Sequence, residues 1–166
     1  MTTGRSNQLT KQIGEYLVAC ELARKGFIST TFSGNVPHFD LIVTDIKGSS
    51  SPIQVKTSMS GTWQFSIDKF VDITFDGNKQ IIGNKKLLQI PQLICVFVIA
   101  GKIYGEDKFF IVELSKVQDI LIANHKRWLD SHGGVRPKKP DSLHCALYER
   151  DLKDYKDNWS IISSRL

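Results

Sequence analysis

Two short stretches rich in β-branched residues, 39–44 and 52–57, flank a turn-prone Lys-Gly-Ser-Ser-Ser segment at 47–51, which predicts two antiparallel strands joined as a hairpin. Side chains alternate across a strand, so Leu41 and Val43 share one face of the first and Ile53 and Val55 one face of the second. Burying these apolar pairs together puts Asp40 across from Lys56 or Gln54. A slip of one residue would set Asp40 against Val55 and carry a charge into the core, so the apolar pattern dictates the register. Asp40, Gln54 and Lys56 are thereby expected on one face, at one end of a sheet.

The remaining elements follow from the same patterning. Residues 6–25 place Ile13, Leu17, Cys20 and Ala23, with Tyr16 and Ala19 beside them, at helical spacing, and Gly26 stops the run. Glu15 sits at the margin of that stripe, where spacing alone makes it a solvated side chain. Residues 73–75 and 80–82 flank an Asp-Gly-Asn-Lys turn and predict a second small hairpin, while 63–70 reads as strand or short helix. The apolar run 93–100 suits a buried central strand, with 108–114 as its neighbour. Ser115 with Gln118 forms a capping-box pattern ahead of a helix carrying Val117, Ile120, Leu121, Asn124 and Trp128, closed by Gly133 and Gly134. A basic loop at 136–140 and a short charged helix at 149–156 lead to Trp159. These elements predict an α/β fold with a central mixed sheet flanked by helices.

Composition narrows the setting. The chain has 166 residues, 41% of them hydrophobic, enough for one domain over 1–166 with a substantial core. Its formal charge of +5 and sequence pI of about 9.1 make a polyanionic partner compatible without demanding one. Cys20, Cys95 and Cys145 are odd in number, widely spaced and set among apolar neighbours, and read as reduced core residues of a cytoplasmic protein. The N-terminus is polar and the run 93–100 is too short to span a bilayer, so neither a secretion signal nor a membrane segment is expected. No internal repeat or low-complexity tract is present.

The order of these motifs carries a resemblance. A helix bearing Gly14-Glu15, an apolar strand opening on Asp40, and a second strand closing on Gln54-Val55-Lys56 together resemble the PD-(D/E)XK nuclease superfamily, particularly its resolvase-like and restriction-endonuclease-like members. The resemblance covers residues 6–57, with a looser match of sheet and helix through Trp128. It implies a restriction-endonuclease-like core in which Asp40 holds a divalent metal, Lys56 stabilises charge at the phosphate or orients the attacking water, and Glu15 completes the site. The chain departs from the pattern at Gln54, an amide where the family usually has a carboxylate, although Gln-x-Lys members are known. The family's proline is displaced to Pro37, three residues before Asp40, where it would shape the approach to the strand.

The implied chemistry suits these residue types. Phosphodiester hydrolysis builds negative charge on the phosphoryl and leaving oxygens. Mg²⁺ or Mn²⁺ held by oxygen ligands supplies Lewis acidity and an acidified water, and a lysine adds a fixed cation. The implied ligands are Glu15, Asp40, the side-chain oxygen of Gln54 and the backbone carbonyl of Val55, a set carrying less negative charge than an all-acidic cage. The substrate expected is nucleic acid, DNA rather than RNA, and a homodimer is compatible with cutting both strands, although the sequence carries no interface signal. Two alternatives stay open: a catalytically silent domain of the same fold that binds nucleic acid or a protein, and a structural subunit of a larger assembly.

Other constellations are weaker. Lys85, Lys86, Lys126, Arg127, Arg136, Lys138 and Lys139 form basic clusters that could contact phosphates, though charge runs are usually solvated faces. His125, His132, His144 and Cys145 lack zinc-ligand spacing and read as surface or packing residues. Trp63 and Trp128 are expected in the core, and Trp159 is left open.

Overall fold

The computed structural model describes residues 4–32 and 38–166; Pro37 lies outside them. In chain order the elements are α1 (Gly4–Arg24), β1 (Ile28–Thr31), β2 (Leu41–Thr44), β3 (Ser50–Ser58), β4 (Thr62–Ser66), β5 (Val71–Asp76), β6 (Lys79–Lys85), β7 (Ile94–Ile99), β8 (Lys108–Glu113), α2 (Leu114–Asp130), β9 (His144–Tyr148) and α3 (Ser160–Ser163). Single 3₁₀ segments cover Ile67–Lys69 and Glu149–Tyr155. Among these residues no helix is long and apolar enough to cross a membrane.

Every residue of β7 is apolar, so it can be buried on both faces, and it lies inside a five-stranded sheet of order β1-β2-β3-β7-β8. Its pairing with β3 is parallel and with β8 antiparallel, which makes the sheet mixed. Ile94, Val96 and Val98 face one layer, where Val18 and Leu22 of α1 meet Trp159 and Ile162 from the C-terminal end. Cys95 and Phe97 face the other, covered by Val117 and Leu121 of α2 and by Trp63 and Leu147. The last two belong to a β4–β9 ribbon, with Trp63 level with Leu147. Trp159 is therefore a core residue. The segment expected at 63–70 resolves into strand followed by 3₁₀ turn, and the charged helix expected at 149–156 is 3₁₀.

Both predicted hairpins form. Leu41 pairs with Ile53 and Val43 with Ser51 in the first, and Asp45 closes its turn by accepting from the Lys47 and Ser49 amides. Gly48 takes the positive φ of 91° that the turn requires. Asp76 pairs with Lys79 in the second hairpin. β1 escaped the sequence reading because its ISTT run is short and half-exposed.

Two expectations about helices need correction. Glu113, rather than Ser115, is the N-cap of α2 and makes no side-chain capping bond. Gln118 is buried instead and donates to the carbonyls of Phe70 (2.7 Å) and Lys86 (2.8 Å), tying the helix to the β5–β6 insert. On α1 the buried stripe is Gly14, Val18 and Leu22, while Ile13, Tyr16, Cys20 and Ala23 are exposed. Cys20 is thus a surface thiol; Cys95 and Cys145 are buried as expected.

The rotation of α1 has a local cause. A Cβ built on Gly14 would lie 1.7 Å from Thr57 Oγ1 and 2.9 Å from Thr57 Cβ, so the helix turns a residue without a side chain onto β3. Glycine inside a helix costs about 1 kcal/mol against alanine, and here it permits an approach that no larger residue could make. Gly14→Ala is expected to lower stability by about 1–3 kcal/mol in urea unfolding, and Thr57→Ala in the same chain should recover part of the loss. A Gly14→Ala protein as stable as the wild type would refute this packing.

Candidate active site

The β2–β3 ladder ends at Asp40, and that ending builds the site. Its last backbone bond runs from Asp40 N to Ile53 O at 2.8 Å. The next amide along the β3 edge, Val55 N–H, donates to the Asp40 carboxylate (Oδ2, 2.8 Å). A carboxylate accepting a backbone N–H here replaces the missing strand partner. The Val55 carbonyl points toward the same open edge, because the N–H and C=O of one strand residue share a side.

Around this edge lies an open cleft of about 450 Å³, lined by Asn7, Thr10, Lys11, Asp40, Gln54, Val55, Lys56 and Thr57. The paired register ends at Leu41–Ile53, one residue short of Asp40 on one strand and of Gln54 on the other. Gln54 and Lys56 pair with Cys95 and Phe97 of β7 and share their face of the sheet, whereas the Asp40 carboxylate runs along the sheet edge toward α1. The three side chains therefore meet around an edge instead of standing on one face. Gln54 Nε2 donates to His38 O at 3.2 Å, which leaves Oε1 as its acceptor. His38 has φ of 76°, a left-handed backbone that a non-glycine residue adopts only when its surroundings hold it there. Gln54 and Lys56 also line a second cleft of about 420 Å³ on the α2 side of the sheet, with His38, Phe65 and Lys69. Trp63 Nε1 donates to Lys56 O at 2.9 Å and steadies the strand at that point.

Lys11, one helical turn before Glu15, is the residue the sequence reading missed. Its Nζ lies 3.1 Å from Asp40 Oδ1 and 3.5 Å from Glu15 Oε1, so one ammonium bridges both carboxylates. The acidic side chains are only 15% (Glu15) and 13% (Asp40) exposed, against 53% for Lys11. The hydrogen bond to Asp40 raises the Lys11 pKa above its ordinary value. Burial raises that of Glu15, with the Asp40 charge adding and Lys11 opposing. The i, i+4 spacing of Lys11 and Glu15 was the available sequence signal; nothing local indicated that Asp40 would join them. Lys56 forms no ion pair among the described residues.

The donor set fits a hard divalent cation. Two part-buried carboxylates already enclose a positive charge, with a strand carbonyl and an amide oxygen at the same edge. Among the described residues no group of three His, Cys, Asp or Glu side chains converges. The neighbouring Cys95 thiol is pushed up to about 12, chiefly by burial, and stays protonated.

None of the seven basic residues singled out in the sequence lines the Asp40 cleft. Lys85 pairs with Asp119 at 2.5 Å and Lys86 with Asp72 at 3.7 Å. Lys126, Arg127, Lys138 and Lys139 are exposed elsewhere, and Arg136 is half-buried. Trp128 is also half-buried and lies outside the two core clusters: its ring stacks on His132 (centroids 4.0 Å apart) and under Arg136. His125 is a buried packing residue, while His132 and His144 are exposed.

No protein-family model matches the chain, and no curated protein matches it in sequence. Among solved structures it is similar to Archaeoglobus fulgidus Hjc, a Holliday junction resolvase from an archaeal hyperthermophile, with TM-score 0.48, 8% identity, and 94% of this chain and 97% of that one covered. It is also similar to I-Ssp6803I, a bacterial homing endonuclease, with TM-score 0.55, 12% identity, and 96% of this chain and 94% of that one covered. The likeness to the homing endonuclease spans nearly all of both chains and establishes the fold: the restriction-endonuclease-like α/β core expected from the sequence, a central mixed sheet flanked by helices.

Proposed function

We propose that this chain is a metal-dependent nuclease that hydrolyses phosphodiester bonds in DNA, working at the Asp40 edge. The observation that carries this reading is the pair of part-buried carboxylates, Asp40 and Glu15, gathered around one cation where the hairpin opens, with Lys56 on the adjoining strand in no ion pair among the described residues. Asp40, Glu15, the Gln54 side-chain oxygen and the Val55 carbonyl would hold Mg²⁺ or Mn²⁺. When bound, such an ion supplies Lewis acidity and an activated water. The protein's own part is electrostatic and positional. The Val55 amide fixes the Asp40 carboxylate, Gly14 lets α1 bring Glu15 to the edge, and Lys56 sets a cation beside the phosphoryl oxygens as their charge grows. Lys11 holds the two carboxylates together in the absence of a divalent ion, so metal and ammonium compete for the same oxygens.

A second reading, a silent nucleic-acid-binding domain, is favoured by one feature: the amide at Gln54 removes a negative charge from the cage. Cleavage of supercoiled and branched DNA with Mn²⁺ separates the two. Lys56→Ala is expected to cut at least about 100-fold more slowly while binding Mn²⁺ as the wild type does. A wild type that binds DNA without cutting any substrate would favour the silent domain.

Calorimetry tests the cage itself. Lys11→Met removes the competing ammonium and is expected to tighten Mn²⁺ binding by about fivefold; unchanged affinity would show that Lys11 and the metal do not share oxygens. Gln54→Glu restores the missing charge and should tighten binding by about tenfold or more. It also sets a carboxylate against the His38 carbonyl, so its melting temperature should gain more from Mn²⁺ than the wild type's does. A folded Gln54→Glu protein with equal or weaker affinity would remove Gln54 from the ligand set.

A further inference from the structure

Gln54 and Lys56 open onto two clefts that differ in charge. The Asp40 cleft lies toward α1 and holds a carboxylate. The cleft of about 420 Å³ on the α2 side has two lysines, Lys56 and Lys69, and no aspartate or glutamate among the described residues that line it. Its volume falls within the range of small-ligand sites, about 300–1,000 Å³. Gln54 and Lys56 belong to both linings, so the clefts are neighbouring stretches of one surface that crosses the open end of the sheet.

Lys69 is presented by a fixed backbone. It ends the 3₁₀ turn Ile67–Lys69, between Ile67, which is fully buried, and Phe70, which is 7% exposed. Ile67 N–H donates to Leu143 O (2.8 Å) and Phe70 N–H to Ile67 O (2.9 Å). The lysine itself is exposed and forms no ion pair among the described residues. The adjacent Asp68 does not line the cleft; its carboxylate accepts from the Ser66 hydroxyl.

The rest of the wall is largely apolar. Phe65 and Leu88 are partly buried against the core, while Leu87 is 99% exposed. A lone solvated leucine is ordinary, but this one borders the cleft on backbone pinned immediately before it: Lys86 N–H donates to Phe70 O (2.9 Å) and Gln118 Nε2 to Lys86 O (2.8 Å).

Two ammonium groups beside an apolar wall, with no carboxylate in the lining, suit a ligand that is anionic and apolar at once. A small inorganic anion would use the lysines alone, and an apolar peptide would leave them unanswered. A nucleic-acid strand alternates phosphates with sugars and bases and uses both. Lys56 also borders the cleft where phosphodiester cleavage is proposed, so a strand crossing that edge reaches this cleft next.

We infer that the strand cut at the Asp40 edge continues past Gln54 into this cleft, where Lys69 holds a phosphate beyond the scissile one and Leu87 packs on the adjoining sugar or base. The inference rests on the nuclease reading and deepens it, giving the substrate a path across the sheet edge and Lys69 a binding role outside the chemistry.

The test is fluorescence anisotropy with a labelled flap DNA, which carries both duplex and single strand, in EDTA from about 50 to 200 mM salt. Lys69→Ala is expected to bind about fivefold more weakly and to lower the slope of log affinity against log salt by about one. Lys126→Ala, which removes an exposed lysine lining neither cleft, should keep the wild-type slope. Leu87→Ser should bind about threefold more weakly with the slope unchanged, and its urea midpoint should match the wild type's because the side chain is solvated. An unchanged slope in Lys69→Ala, an equal fall in Lys126→Ala, or wild-type binding by Leu87→Ser would overturn the path. So would a wild type that binds no flap DNA. Cleavage is read separately: Lys69→Ala should raise KM about fivefold with kcat within about twofold of wild type, and a kcat loss as large as that of Lys56→Ala would overturn the binding role. Cutting without Lys69-dependent binding removes the path alone, and Lys69-dependent binding without cutting by the wild type removes the nuclease reading alone.

Discussion

The Asp40 carboxylate takes the Val55 N–H at 2.8 Å, one position beyond the last backbone bond of the β2–β3 ladder. A charge-assisted bond of this kind contributes about 1.5–3 kcal/mol, but its larger effect is geometric. It lets β2 leave the sheet without orphaning a β3 amide, so the Val55 carbonyl, the Gln54 amide and the Lys56 side chain are reached from the side. A strand that simply continued pairing would have sealed this edge with backbone and left no opening between α1 and the sheet.

The other wall of the opening depends on how closely α1 can sit. Gly14 against Thr57 sets that distance, and the residue next to it and the one a turn before it inherit their positions. Lys11 and Glu15 then face Asp40 from the helix, and the three charges settle into an arrangement of alternating sign. Bringing two carboxylates together in a partly desolvated place is unfavourable without a cation between them. Lys11 is that cation in the structure, and a divalent ion would satisfy the same requirement with more charge and more coordination sites.

Behind the site, the two-sided burial of β7 makes the architecture mixed and layered. A strand apolar at every position cannot lie at a solvated face. It recruits α1 and the C-terminal segment to one side and α2 with the β4–β9 ribbon to the other. The β5–β6 insert is secured to α2 through Gln118 and reaches His125 through Gln80. That second connection holds the buried imidazole, so one hairpin takes part in the geometry of a region distant in sequence.

The sequence by itself determined the elements whose signal is local: both hairpins, the buried central strand, the extent of α1 up to Gly26, and a register that buries Leu41 with Ile53, one of the two that alternation allowed. Each follows from short-range alternation or turn chemistry, where a one-residue error would bury a charge. The helical face of α1 was misjudged because its most important contact is made by Gly14, which contributes no hydrophobicity to a pattern, while Ile13 and Tyr16 contribute much and lie outside. Lys11 was invisible as a site residue for a related reason: its pairing with Asp40 spans 29 positions and exists only once α1 docks. The same holds for Gln118 and His125, whose roles are set by carbonyls and an amide from the insert. Alternation and caps are properties of a few consecutive residues; a close approach or a shared cation belongs to groups that only the tertiary structure brings together.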